Sequence, residues 1–269
     1  MTMLSINALF SVAGKTVLVT GGSRGIGEMI AAGFLANGAK VYISSRKAQV
    51  CDATAARLSE ESGGTCVSLP ADVATIDGVA SLAAAIGQHE DHLDVLVNNA
   101  GASWGAPLDE FPENGWDKVM DTNVKGVFFL TQRLLPLLEA AATAQSPSRV
   151  INIGSIDGIR TSIFENFSYG ASKAAVHALT RQLAGPLARR HILVNAIAPG
   201  PFPTWMLSTG VGGGGNVEGT DWGPVSERNP RGRIGTPADI AGTALFLSSR
   251  AGEFIVGETI VCDGGVAAS

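Results

Sequence analysis

The sequence predicts an α/β fold, a doubly wound parallel sheet of about seven strands with helices on both faces. Three observations predict it. Short apolar runs of strand length alternate with longer stretches of helical periodicity along nearly the whole chain. Such alternation needs right-handed crossovers that lay a helix over each strand pair. The length, 269 residues, is within the reach of one such domain and long enough to bury a large core. Hydrophobic residues make up 45% and charged residues 16%, the balance of a well-packed chain and not of a disordered one.

The elements follow in order. Residues 15–20 (KTVLVT) form the first strand, then a glycine-rich turn leads into a helical pattern over 26–37, closed by Gly38. A second strand at 40–44 (KVYIS) precedes helical text over 48–61, and 65–69 gives a third strand. A helix is read over 73–87, a fourth strand at 93–97 (LDVLV), and another amphipathic stretch from about 116 to 142. The fifth strand is 149–153 (RVINI), followed by helical text over 168–189 and a sixth strand at 193–197 (LVNAI). A helix near 237–248 and a strand at 258–261 (ETIV) end the pattern. One segment breaks the alternation. Residues 200–232 hold four consecutive glycines, Gly212 to Gly215, with Trp205, Trp222 and several prolines. A long structureless loop at a strand end is usually functional, so 201–232 is read as a substrate lid, against the alternative of a tolerated surface insertion. Neither an internal repeat nor a linker divides the chain, and 1–269 is expected to be a single dinucleotide-binding catalytic domain.

Composition removes several function classes. A net charge of −5 supplies no electrostatic attraction for nucleic acid or an anionic membrane. The mean hydropathy is positive, yet the apolar runs have strand length and none approaches the ~20 residues of a spanning helix. Residues 1–10 lack the basic region and small-residue cleavage site of a secretory leader, so a cytoplasmic location is expected. Cys51, Cys66 and Cys262 lack metal-ligand spacing and read as buried, inert thiols. His89 and His92, flanked by Glu90, Asp91 and Asp94, read as a solvated helix end; no metal site is expected.

The turn after the first strand carries Gly21, Ser23, Arg24, Gly25, Ile26 and Gly27. Its glycines allow a tight turn and close approach of a phosphate, while the helix that follows aims free N–H groups and its positive dipole end at a pyrophosphate. The second strand selects the nucleotide. An NAD site usually places an acidic residue there for the ribose 2′-hydroxyl. Here the strand runs into Ser44, Ser45, Arg46 and Lys47. A carboxylate would repel a 2′-phosphate, whereas Arg46 offers it a planar, permanently charged fork, and Arg24 can supply a second cation. NADP(H) is therefore favoured over NAD(H).

Further on, Tyr169 and Lys173 are four apart and share a helix face. A free phenol, with a pKa near ~10, is a poor proton donor or acceptor at neutral pH. A neighbouring ammonium is expected to pull that pKa down toward the working range. Ser155, at the end of the fifth strand and fourteen residues before Tyr169, can donate a hydrogen bond to a substrate oxygen.

With these residues in view, nearly the whole chain resembles the short-chain dehydrogenases/reductases. The resemblance rests on the Thr20–Gly27 turn, Asp72 and Val73, the run Asn98, Asn99, Ala100 and Gly101, then Asn123, Ser155, Tyr169 with Lys173, Asn195, Pro199 with Gly200, and Asp263 with Gly264 and Gly265. It implies a Rossmann-like fold and hydride transfer at a tetrad of Asn123, Ser155, Tyr169 and Lys173. In that scheme Ser155 orients the carbonyl and Tyr169 passes the proton. Lys173 lowers the phenol pKa and holds the nicotinamide ribose, and Asn123 positions a water in the proton relay. Asp72 and Val73 would contact the adenine, Asn99, Ala100 and Gly101 would line the cofactor, and Pro199, Gly200 and Thr204 would pack near the nicotinamide amide. Within the family, residues 17–27, 96–105 and 149–155 look like an NADPH-dependent β-ketoacyl reductase, and more narrowly like the rhamnolipid-associated type. The resemblance also implies a homodimer or homotetramer through the helices near 116–142 and 168–190.

Two features depart from the family pattern. Gly185 and Pro186 fall inside the helix that carries Tyr169, where proline is expected to kink it beyond the tetrad and disturb the packing face. His191, Ile192 and Leu193 replace the usual Gly-Ile-Arg, a change without a functional reading. The expected activity is reduction of a ketone, a 3-oxoacyl thioester or related 3-oxo compound, with apolar Trp205, Met206, Leu207 and Val211 suited to an acyl chain or equally to core packing. A polyol or sugar-acid dehydrogenase of the same family is the alternative, since the 157–166 segment offers some polar side chains. A catalytically silent nucleotide-binding module is the reading from another class, and the intact tetrad argues against it.

Overall fold

The computed structural model describes residues 4–269; the first three residues of the 1–10 segment lie outside them. The strands are β1 (Thr16–Thr20), β2 (Lys40–Ser44), β3 (Cys66–Ser68), β4 (Val95–Asn98), β5 (Ser148–Ile153), β6 (Ile192–Pro199) and β7 (Thr259–Cys262). They form one sheet in the order β3-β2-β1-β4-β5-β6-β7, with every neighbouring pair parallel. The chain enters at β1 in the middle, winds outward through β2 and β3, then returns to β4 beside β1 and winds the other way. The reversal between β1 and β4 opens a crevice beyond their C-terminal ends, where sheets of this kind bind ligands.

The helices are α1 (Ile6–Phe10), α2 (Gly25–Ala36), α3 (Ala48–Ser62), α4 (Ile76–His89), α5 (Glu113–Met120), α6 (Gly126–Ala141), α7 (Phe167–Ala188), α8 (Trp205–Gly210), α9 (Gly223–Glu227) and α10 (Pro237–Ser248). Successive strand residues point to opposite faces, and two cores result. Val17, Val19, Val41, Ile43, Val95, Val97 and Ile151 meet α2, α3 and α10 through Phe34, Leu58 and Ile240. Leu18, Tyr42, Leu96, Val150 and Val194 meet α4, α6 and α7 through Leu82, Leu134 and Leu187. Each fully buried aliphatic or aromatic side chain contributes about 1.5–3 kcal/mol. Both faces of the sheet are thus covered, which explains why its strands read as continuous apolar runs.

One sequence expectation is corrected and another is refined. The stretch from about 116 to 142 is helical but not α throughout: α5 and α6 run into each other through a wide π-helical turn over Asp121–Lys125. The segment 201–232 is not structureless, because it contains α8 and α9. Thr204 caps α8 by accepting the Leu207 N–H at 3.2 Å, the Ser208 and Thr220 hydroxyls bond at 2.6 Å, and the Trp222 indole N–H donates to the Val217 carbonyl at 3.2 Å. Helix α7 runs on past Pro186 to Ala188, so the lost N–H falls within its last turn.

His89 and His92 are exposed, as a solvated helix end requires. Cys51 is buried, but Cys66 and Cys262 are only half-buried. Burial still pushes the Cys66 thiol up to about 12 and raises Cys262, leaving both protonated and unreactive at neutral pH. Among the described residues, no helix is long and apolar enough to cross a membrane.

Candidate active site

The glycine-rich turn is held open by its neighbours. The Thr20 hydroxyl accepts the N–H groups of Asn99 and Ala100, both at 3.0 Å, and the Asn99 side-chain amide donates to the carbonyls of Thr20 at 2.8 Å and Gly21 at 3.2 Å. These bonds clamp the ends of β1 and β4 together. They leave no room at Gly27, where any Cβ would collide with the Asn99 amide and the Gly21 carbonyl. Gly21 and Gly25 take left-handed φ angles of 64° and 58°. Helix α2 starts at Gly25, and its cap residue Arg24 makes no side-chain capping bond. First-turn amides that no side chain caps are a ready anion site.

Around this turn the other expected nucleotide contacts gather at strand ends. Ser23 is buried, and its carbonyl accepts the Thr54 hydroxyl at 3.1 Å; Ile26 packs partly against the core. At the end of β2 the Ser44 and Ser45 hydroxyl oxygens are buried without a partner, and Arg46 stands exposed beside them. Asp72 accepts the Ala74 N–H at 3.1 Å in the turn after β3, and Val73 is buried in the α4–α6 layer. Pro199 ends β6, Gly200 bonds the Cys262 carbonyl at 3.0 Å, and the Thr204 methyl lies 3.2 Å from where a Gly25 Cβ would stand.

The residues expected to handle protons converge next to this cleft. Ser155 follows β5 and accepts the Asp157 N–H at 3.1 Å. Tyr169 and Lys173 occupy successive turns of α7, with the ammonium 5.6 Å from the ring centroid. The Lys173 ammonium is buried and donates to the Ile153 carbonyl at 2.7 Å. Asn123 is buried in the π-helical turn: its side chain accepts the Ala102 N–H at 2.7 Å and donates to the Ala102 carbonyl and the Ser172 hydroxyl, each at 2.9 Å. A Cβ on Gly101 would stand 3.5 Å from Asn123 Oδ1 and 3.8 Å from Lys173 Nζ, which brings the β4 loop to the same point.

A family model described as "Enoyl-(Acyl carrier protein) reductase" matches residues 21–267. The chain is 48% identical to the rhamnolipids biosynthesis 3-oxoacyl-[acyl-carrier-protein] reductase of Pseudomonas aeruginosa, covering 95% of this chain and 97% of that one. It belongs to the short-chain dehydrogenase/reductase family. It is also 37% identical to gluconate 5-dehydrogenase of Gluconobacter oxydans, over 97% of this chain and 98% of the relative. The solved RhlG/NADP active-site complex of Pseudomonas aeruginosa matches with a TM-score of 0.89 at 46% identity, covering 97% of this chain and 99% of that one.

For a short-chain dehydrogenase/reductase, the electrostatics differ from the sequence expectation in one respect. Burial pushes the Tyr169 phenol up to about 12; the Ser155 hydroxyl offsets part of that rise and the Asp157 carboxylate adds to it. The expected downward pull of Lys173 is not among the influences on the phenol; the ammonium is bonded to Ile153, and burial lowers it to about 8. Two residues escaped sequence reasoning. Ser172 donates to the Tyr169 carbonyl at 2.7 Å while accepting from Asn123, so it ties α7 to the π-helical turn. His177, one turn beyond Lys173 on the same face, is buried with Nε2 unpartnered against Gly154, and burial beside Lys173 and Arg181 lowers it to about 4. Its spacing from Lys173 was the signal that could have found it.

Proposed function

We propose that this chain is an NADPH-dependent reductase that converts the ketone of a 3-oxoacyl thioester or related 3-oxo compound into a secondary alcohol. The observation that carries the reading is the Ser155–Tyr169–Lys173 cluster beside a nucleotide turn whose neighbouring strand ends in Arg46 instead of a carboxylate. The residues present fit the cofactor: the α2 N-terminus lacks a side-chain cap, Gly27 forms a cradle that a Cβ would fill, and the Ser45 hydroxyl is buried without a partner. Gly21, Ser23, Gly25, Ile26 and Gly27 would hold its phosphates, Arg24, Ser45 and Arg46 its 2′-phosphate, and Asp72, Val73, Asn99, Ala100, Gly101, Pro199, Gly200 and Thr204 its remaining surface. Bound NADPH supplies the hydride. Ser155 and Tyr169 donate hydrogen bonds to the substrate oxygen, and Tyr169 gives up its phenolic proton as negative charge develops there. A phenol raised to about 12 is fully protonated at neutral pH, the state that ketone reduction needs. The Lys173 ammonium then stabilises the phenolate left behind.

Two hydroxyls, with Ser155 near enough to Tyr169 to offset part of its rise, suit a carbonyl oxygen that gains charge, which favours keto reduction over the enoyl reduction in the family model's description. The lid would be α8, α9 and their connection, with half-buried Met206 and Leu207 against the acyl chain. Gly210 approaches Phe164 across this gap. The location proposed is the cytoplasm, as a homodimer or homotetramer; exposed Trp116 and Phe167, joined through Phe111, give α5 and α7 an apolar patch for packing.

The deciding assay follows nicotinamide absorbance with NADPH or NADH and an acetoacetyl thioester, a longer β-ketoacyl thioester, or a keto-sugar acid. NADPH oxidation with the ketoacyl substrates is expected. Turnover of the sugar acid alone would make the gluconate relatives the better guide, and turnover with NADH alone would overturn the cofactor assignment. Arg46→Asp should reverse the preference for NADPH by about 10–100-fold in KM ratio, the scale of one charge-assisted hydrogen bond of about 1.5–3 kcal/mol. An unchanged ratio would remove Arg46 from the site.

A further inference from the structure

Arg24 caps α2 with extended backbone (φ −168°, ψ 163°), and its exposed side chain makes no capping bond. Its guanidinium carbon instead lies 4.9 Å from the centroid of Trp205, the first residue of α8. Trp205 is 47% exposed, a high value for a tryptophan, yet it is pinned from a second side. Gly215 has φ 85°, and any Cβ there would collide with the indole ring. Thr204, one residue earlier, touches the nucleotide turn at Gly25. The indole is therefore wedged between the four-glycine run and the first cation of the nucleotide site.

The chemistry of a guanidinium makes that wedge informative. Its face stacks on an aromatic ring, while its N–H donors lie in the plane and remain available at the edge. A stacked arginine thus keeps its capacity to fork onto a phosphate, and it has lost much of the rotamer freedom that binding would otherwise have to remove. Without the indole, Arg24 would be a long chain on an exposed helix cap with no partner to fix its direction.

We infer that Trp205 is a positioning residue for recognition of the nucleotide's 2′-phosphate: with the Arg24 guanidinium over its ring, it holds that cation ready and links lid helix α8 to the phosphorylated form of the cofactor. This rests on the NADPH reading above and adds to it a residue that touches neither the nucleotide nor the reacting atoms. Because coupling between two sites is reciprocal, a ligand that engages Arg24 also steadies α8. The glycine run has a role in the same device, since Gly215 supplies the flat backbone on which the indole rests.

The test is calorimetric titration of the full chain with 2′,5′-ADP and with 5′-AMP, two probes that differ by the 2′-phosphate. Trp205→Leu should weaken 2′,5′-ADP about threefold to fivefold, the size of an exposed cation–π contact, and leave 5′-AMP unchanged. Trp205→Phe, which keeps an aromatic face, should restore most of the loss and serves as the working variant if leucine loosens the lid. In an Arg24→Gln background Trp205→Leu should have no further effect, which a double-mutant cycle reads directly. Equal weakening of both probes, or the same loss in the Arg24→Gln background, would show that Trp205 acts on the lid alone and overturn the inference. A parent protein that binds both probes alike would bring down the NADPH reading itself, and the inference with it.

Discussion

Tyr169→Phe is expected to bind NADPH as the parent does and to lose turnover by about 10²–10⁴-fold, the usual contribution of a positioned proton donor. The substitution removes one oxygen and keeps the ring that lies 5.6 Å from the Lys173 ammonium. Ser155 keeps its own bond to the Asp157 N–H and can still polarise a carbonyl. What disappears is the phenolic proton that this reading assigns to the developing alkoxide, while Lys173 keeps its bond to Ile153 and His177 has its open nitrogen against Gly154. Fluorescence titration with NADPH, paired with single-turnover reduction of a ketoacyl thioester, separates binding from chemistry. Turnover near the parent's would move the proton from Tyr169 to a bound water and leave Ser155 as the principal group on the oxygen.

How far the sequence led is clearest where it stopped. Strand positions were legible because both sheet faces are covered, so runs such as Val17, Leu18 and Val19 are apolar at every position and bounded by turn residues. The glycine turn and the Tyr169–Lys173 pair were legible because each is local: a fixed spacing puts the groups on one loop or one helix face. The turn that buries Asn123 was not, because periodicity of about 3.6 residues runs through Asp121–Lys125 and one extra residue in a turn leaves no compositional mark. The helices of the 201–232 segment were masked by the glycines around them, although Thr204 three residues before Leu207 is a capping signal. The direction of the Tyr169 shift was misread for another reason. Spacing shows that an ammonium is near the phenol; it does not show that the ammonium is buried and already bonded to a strand carbonyl, or that burial also acts on the phenol.

That buried ammonium leads to the second large effect, in which stability and activity part company. Lys173 is lowered to about 8 from the ordinary 10.5 by burial, and its one hydrogen bond goes to the Ile153 carbonyl. Between those two values the unfolded chain holds a proton that the folded chain has released, so stability rises with pH across that window and falls as pH drops toward 8. From pH 7 to 10 the gain in the parent should be about 2–3 kcal/mol. Lys173→Met fills similar space without a charge, and its stability should be flat over the same range apart from groups common to both proteins. Tyr169 stays protonated across this range because it titrates at about 12, and His177 stays neutral because it titrates at about 4. Losing the bond to Ile153 shifts the whole curve of the variant but not its slope, so the quantity to measure is the difference in unfolding free energy between the two proteins at pH 7, 8.5 and 10, from urea titrations. The methionine variant should gain on the parent toward pH 7, while its ketone reduction falls at least 10²-fold, because a phenolate formed at Tyr169 would have no cation beside it. Parallel pH curves would mean that Lys173 is hydrated in solution and ionises normally. A steep parent curve and a flat variant curve would show that this fold carries a destabilising buried charge at its reaction centre, where only the chemistry of the phenol gives it a use.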